Sequence, residues 1–210
     1  MKFLAHRGLT KKSLEANSIA AFRRAWQAGF GIETDIRDYK GKLVISHDLA
    51  NSSSPDFKKF LAWYKKEGRN SVLAINIKAD GLAGLLKETL KKFSITNYFV
   101  FDMSVPDAWH YVKRNIKVFT RQSEFETTPS FYKQAKGVWL DELSQPWIDE
   151  KVVKKHLKQG KPVCIVSPEL HQRPYQSAWC EYKKVLKDWD SPNLLLCTDY
   201  PEKAKIFFYA

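Results

Sequence analysis

Two acidic residues placed two apart, Glu33 and Asp35, lie inside the apolar run Ile32 to Ile36. On a strand both side chains would project from one face, and two carboxylates side by side repel one another unless a cation offsets them. A hard divalent ion with oxygen ligands, Mg²⁺ or Ca²⁺, would do so and would polarise a phosphoryl oxygen. The other reading is that one carboxylate faces a helix and pairs with a lysine. Histidines follow two further apolar segments: His6 after Phe3-Leu4-Ala5, and His47 after Leu43-Val44-Ile45-Ser46. Imidazoles titrate near neutrality, so a convergent pair can act as base and acid at the oxygens of a phosphodiester, although a lone histidine at a strand end is more commonly a hydrogen-bonded rim or core residue. His110 and His156 fall in lysine-rich helical segments and read as surface residues.

Positioning these groups requires a scaffold, and the chain supplies a repeating one. Short apolar runs recur at Phe3 to Ala5, Ile32 to Ile36, Val72 to Ile77, Tyr98 to Phe101, Val118 to Thr120, Val138 to Leu140, Val163 to Val166 and Leu194 to Cys197, with helical segments between them. The clearest helix is Ser18 to Gly29, where Ile19, Phe22, Ala25 and Trp26 share a face and Gly29 supplies the stop. Strands alternating with helices imply parallel pairing through right-handed crossovers, and eight such units can close into a compact α/β barrel, a TIM-type (β/α)8 fold. The 210 residues allow about 26 per unit and predict a single domain over residues 1–210 with little decoration. After the second run, Asp38 to Lys42 reads as a turn and Leu43 to Ser46 as a short strand that brings His47 back toward the carboxylates.

The active site of such a barrel lies at the carboxyl ends of its strands. The polar residues that end the runs are His6 and Arg7, Glu33 and Asp35, Lys78, Asp102, Arg121, Asp141 and Glu142, Ser167 to Glu169, and Thr198-Asp199. Converging cationic side chains, histidines and carboxylates suit a phosphate together with a hard cation. Beyond the seventh run, Glu169, His171 and Arg173 lie where phosphate sites of this fold often occur, or else form a salt-bridged structural loop.

Composition narrows the field. The formal net charge of +12 invites nucleic acid or anionic lipid as partners. Its lysines, however, pair up as Lys58-Lys59, Lys65-Lys66, Lys91-Lys92, Lys154-Lys155 and Lys183-Lys184 inside amphipathic helical segments. They read as solvated helix faces, and a nucleic-acid partner is not expected. No run of eighteen apolar residues marks a membrane span. The three cysteines, Cys164, Cys180 and Cys197, lack paired spacing, and no targeting segment precedes Phe3, which together point to a reducing cytoplasm.

Taken in order, His6-Arg7-Gly8, Glu15-x-Asn17-Ser18, Glu33-Thr34-Asp35 and His47-Asp48 resemble the amino-terminal signature of the glycerophosphodiester phosphodiesterase family, most densely over residues 4 to 48. The variant resembles members associated with bacterial surface polysaccharides. The resemblance implies a phospholipase C-like β/α barrel in which His6 and His47 are the acid and base. It also implies that Arg7 contacts the phosphate and that carboxylates hold Mg²⁺ or Ca²⁺. Glu33 and Asp35 would be ligands, and among the polar residues that end the strands Lys78 and Arg121 are expected to bind the phosphate. A substrate hydroxyl would attack phosphorus through a cyclic phosphate that water then opens.

Two departures from the family pattern matter. The third strand usually reads Glu-x-Lys and here reads Asn76-Ile77-Lys78, so the third metal ligand would be the amide oxygen of Asn76, one negative charge short, and metal binding should weaken. Glu15 and Asn17 are separated by one extra residue, which places them behind the ligands as supporting groups. The short segment after His47-Asp48 predicts an open site. The leading expectation is therefore a metal-dependent hydrolase of a small-molecule phosphodiester, a glycerophosphodiester or a sugar or alcohol phosphodiester. The alternatives are a phosphate-ligand binding barrel with weakened catalysis, and a lyase that stops at the cyclic phosphate.

Overall fold

A computed structural model describes residues 1–12, 15–68, 70–185 and 191–210. All eight expected strands are present: β1 (Lys2–Ala5), β2 (Gly31–Tyr39), β4 (Leu73–Ile77), β5 (Tyr98–Phe101), β6 (Phe119–Gln122), β7 (Gly137–Leu140), β8 (Val163–Val166) and β9 (Leu194–Thr198). They are parallel and ordered β5-β4-β2-β1-β9-β8-β7-β6. The remaining seam, β5 to β6, is closed by one parallel bridge, Val100 to Val118, with Val100 N donating to Lys117 O at 2.8 Å. The ninth strand, β3 (Lys42–Ile45), is the expected hairpin return. It pairs antiparallel with the upper half of β2. Lys40 and Gly41 both have positive φ there, as a tight two-residue hairpin turn demands.

Alternation along each strand sorts the core into two shells. Ala5, Ile32, Ile36, Leu73, Ile75, Val138, Val163 and Leu196 face outward and pack under α1 (Ile19–Gln27), α2 (Phe57–Trp63), α3 (Ala83–Lys92), α4 (Val105–Lys113), α5 (Glu150–Lys158), α6 (Gln176–Val185) and α7 (Pro201–Tyr209). Leu4, Ala74, Phe99, Phe119, Trp139, Cys164, Leu195 and Cys197 fill the barrel interior. Phe99 stacks on Phe119 and Phe101 on Trp139, each pair at 3.8 Å between centroids, so the lumen is packed solid below its rim. The same period of two carries upward. His6 follows Leu4, Asn76 and Lys78 follow Ala74, Arg121 follows Phe119, Asp141 follows Trp139, and Asp199 follows Cys197.

The helix expected between Ser18 and Gly29 forms as α1. The Ser18 side chain accepts from Ala21 N, and Ala21, Phe22, Ala25 and Trp26 are buried. One expectation is corrected. His156 on α5 is not a surface residue: it is buried, with Nδ1 at 2.8 Å from Tyr132 OH and Nε2 at 2.8 Å from Gln122 Oε1. It sits three residues after buried Val153, so it shares the apolar stripe of its helix despite the lysines around it. His110 is exposed. Among the described residues no helix is long and apolar enough to cross a membrane.

Candidate active site

The His6-Arg7-Gly8 segment is a sharp turn at the end of β1. Arg7 and Gly8 both have positive φ, 53° and 89°. A Cβ on Gly8 would stand 2.8 Å from the Ala21 backbone, so only glycine lets α1 lie this close. The turn aims Arg7 N at Glu33 Oε2, 3.2 Å away, and its carbonyl accepts from Asn17 N at 2.9 Å. Asn17 in turn donates through Nδ2 to Asp35 Oδ2 at 2.9 Å and accepts from Thr34 Oγ1 at 2.8 Å. One turn thus positions β1, β2 and the start of α1 together.

Glu33 and Asp35 are both buried and face the barrel axis as their spacing requires. Asn76 is the in-register neighbour of Asp35 on β4. Arg7 Nε lies 3.1 Å from Asp35 Oδ2, and Lys78 Nζ lies 3.7 Å from Asp35 Oδ1. Glu33 Oε1, Asp35 Oδ1 and Asn76 Oδ1 are nevertheless buried without a hydrogen-bond donor. Three buried oxygens without donors on the neighbouring strands β2 and β4 are a donor set that an oxygen-ligated cation could use, and in chemistry it suits Mg²⁺ or Ca²⁺. The third member of the set is an amide, and among the described residues no three His, Cys, Asp or Glu side chains group as a metal site. Burial, followed by repulsion from Asp35, raises the Glu33 carboxyl to about 7, against the pull of His6, Arg7 and Lys78.

His6 stands over this group with Nε2 3.9 Å from Glu33 Oε2 and Nδ1 2.8 Å from Asp199 Oδ1. Burial opposes its charged form. The hydrogen bond to Asp199 and the charges of Glu33 and Asp199 outweigh that burial and Arg7, so its pKa lies above the ordinary histidine value. His47 is carried to the same rim by β3, where Ser46 N donates to Asp35 O at 3.2 Å. Its Nδ1 meets Asp48 Oδ1 at 2.9 Å, and its side chain is 43% exposed. Residues 48–55, which follow it, form a loop without helix or strand.

The other expected site residues are placed differently. Glu15 turns from the barrel to accept from Lys11 N and pair with Arg24. Arg121 lies between Asp102, at 2.6 Å, and Glu126, and Asp102 also meets Lys78 at 3.4 Å, so an ionic chain crosses the rim from β2 to β6. On the far side Glu169 accepts from Ser167, Thr198 and the Asp199 backbone. His171 meets Asp141 at 2.6 Å, and Arg173 donates to Glu142 O at 2.6 Å. Glu169 therefore holds the residue that holds His6 instead of facing the centre. Asp199 and Asp102 are the residues whose roles strand-end position alone did not assign. The signal was present, since each ends a run opposite a candidate cation or histidine.

No protein-family model matches the sequence, and no curated protein is significantly similar to it. Solved structures are. A glycerophosphodiester phosphodiesterase from Agrobacterium tumefaciens superposes with a TM-score of 0.69 at 15% identity, covering 100% of both chains. A glycerophosphoryl diester phosphodiesterase from Parabacteroides distasonis gives 0.71 at 12% identity, covering 99% of this chain and 86% of that one. A Ca²⁺-dependent phosphatidylinositol-specific phospholipase C from Streptomyces antibioticus gives 0.59 at 9% identity, covering 99% and 95%. The chain has the β/α barrel fold of the glycerophosphodiester phosphodiesterases, the architecture that its amino-terminal motifs imply.

Proposed function

We propose that the protein is a phosphodiesterase acting on a small-molecule phosphodiester at the rim formed by β1, β2, β3 and β4. The observation that carries this reading is His6, fixed by Asp199 through Nδ1 and lying, through Nε2, 3.9 Å from Glu33 Oε2, beside a carboxylate pair and an amide that each keep one buried oxygen without a donor. Glu33, Asp35 and Asn76 would hold a divalent cation, Mg²⁺ or Ca²⁺, which when bound supplies a Lewis acid for a phosphoryl oxygen. The Ca²⁺ dependence of the similar phospholipase C supports this assignment. Arg7 and Lys78 present positive charge to the phosphate and stabilise what gathers on its oxygens. His6 and His47 move the protons: one imidazole accepts from the attacking hydroxyl and the other donates to the departing alcohol. Asp199 keeps the His6 ring oriented, and Asn17 keeps Asp35 turned toward the centre.

Hydrolysis of a small phosphodiester panel, with and without EDTA, tests the reading. Cleavage should depend on the divalent ion and fall by roughly a hundredfold or more in His6→Ala and in His47→Ala. Full activity in both variants would sink the assignment. A second reading rests on Asp35, which already has two cationic neighbours and an amide where a third acid would stand. A barrel that binds phosphate ligands without turnover would retain glycerol phosphate in EDTA and cleave nothing.

A further inference from the structure

Ionic contacts run without a break along the mouth of the barrel, from Arg7 through Asp35, Lys78, Asp102 and Arg121 to Glu126. Cation and acid alternate along this chain, and Asp102 is its central link. Its Oδ2 lies 3.4 Å from Lys78 Nζ and its Oδ1 2.6 Å from Arg121 Nη1. Lys78 Nζ in turn lies 3.7 Å from Asp35 Oδ1, one of the buried oxygens without a donor. One lysine head group therefore separates Asp102 from the candidate ligand set. The period of two does not put Asp102 there. Phe99 and Phe101 fill the barrel interior, so the next residue along β5 should point outward. Asp102 instead has a positive φ of 71°, a conformation uncommon outside glycine that aspartate tolerates, and its carboxylate meets two cations of the inward row. Glu126 is also held in place. Its N–H donates to Ser123 Oγ at 3.1 Å, and Glu124 in the same loop accepts from Leu143 N, Ser144 N and Gln145 N.

Arg121 carries two acids, so a phosphate that reaches it finds its charge already matched. If Glu33 and Asp35 hold a divalent cation, Arg7 and Lys78 are released toward the phosphate, while Asp102 and Glu126 remain acids beside it. A diester carries one negative charge and presents an ester oxygen where a phosphomonoester presents a second charge near neutral pH. Coulomb energy scales with ligand charge, so these acids weigh about twice as heavily on a monoester dianion as on a diester monoanion. We propose that Asp102 and Glu126 are specificity-determining residues that select phosphodiester monoanions over phosphomonoester dianions, and thereby also speed release of the monoester that hydrolysis leaves. The inference rests on the phosphodiesterase reading and deepens it by assigning the choice of ligand charge to two acids of this chain.

Titration in Mg²⁺ at about pH 8 with dimethyl phosphate, a monoanion, and methyl phosphate, a dianion there, reads the choice without turnover when followed by the amide NMR shifts of the protein. The unmodified protein should bind dimethyl phosphate at least as tightly as methyl phosphate. Glu126→Gln and Asp102→Asn should each tighten dimethyl phosphate by about threefold and methyl phosphate by about tenfold, because the effect scales with ligand charge. Asparagine keeps the left-handed backbone at position 102, and thermal midpoints show that both variants fold. Glu15→Gln, an acid paired with Arg24 away from the rim, should change neither affinity. A preference left unchanged in either rim variant overturns the proposal. Tighter binding of methyl phosphate by the unmodified protein, failure to bind dimethyl phosphate, or an equal effect of Glu15→Gln also overturns it. A preference narrowed in both rim variants upholds it, and absence of diester cleavage would then count against the catalytic reading alone.

Discussion

The two arcs of the barrel rim contain similar residues and use them in opposite ways. On the β1 to β4 arc, Glu33, Asp35 and Asn76 each keep a buried oxygen without a donor. On the β7 to β9 arc, Glu142 takes Trp147 N, Ile148 N and Tyr182 OH at 2.8–2.9 Å, and Glu169 takes three donors of its own. Among the described residues, none of the buried side-chain atoms lacking a partner lies on that second arc. A buried polar group left unpaired lowers stability, and at this arc an ion or water would complete the three oxygens. The satisfied arc is framework, and its side chains support the other through Glu169, Asp199 and His6.

This contrast can be broken by experiment. The largest effect on stability is expected on the framework arc, where Glu142→Ala strands three donors and should cost about 3 kcal/mol in denaturant unfolding. A loss below about 1 kcal/mol would show that the network is not structural. The buried His156 lies on the same side of the barrel. Burial first, then Lys155 and Lys161, lower its pKa to about 4. The unfolded chain therefore takes up this proton at higher pH than the folded one does. Stability should be undiminished above about pH 6.5 and fall as pH drops toward 4, by about 3 kcal/mol from this residue. His156→Gln should flatten that part of the profile, and an unchanged slope would remove the assignment.

The open arc should respond in the reverse sense. Glu33→Gln removes repulsion with Asp35 and should abolish divalent-ion binding by calorimetry while shifting folding stability by no more than about 1 kcal/mol, or raising it. Strong destabilisation with ion binding intact would reverse the roles of the two arcs. The smallest effect is expected at Glu15, whose partly exposed pair with Arg24 faces away from the rim. Glu15→Ala should leave the thermal midpoint and turnover nearly as they were.

Much of the site was legible because a barrel strand obeys a strict period of two. Glu33 and Asp35 had to share a face, and His6, Lys78, Arg121 and Asp199 had to end strands. The same rule separates Asp141, which points inward to His171, from Glu142, which points outward to Tyr182, although adjacency made them look equivalent. His156 was misread because its neighbours are lysines, while its three-residue spacing from Val153 carried the better signal. Glu15, expected behind the ligands, turns to Arg24 instead, because the extra residue before Asn17 lies in a turn, where no periodicity fixes direction.

Local spacing by itself determined the eight strands, the hairpin that returns His47 and the set of residues able to reach the rim. Which of those residues are already satisfied was decided only by tertiary structure. Whether an acid is free or engaged depends on donors supplied from elements far along the chain, such as Tyr182 and Trp147 for Glu142 or Asp199 for His6. Strand-end position is a property of local sequence, whereas hydrogen-bond satisfaction is a property of the packed barrel.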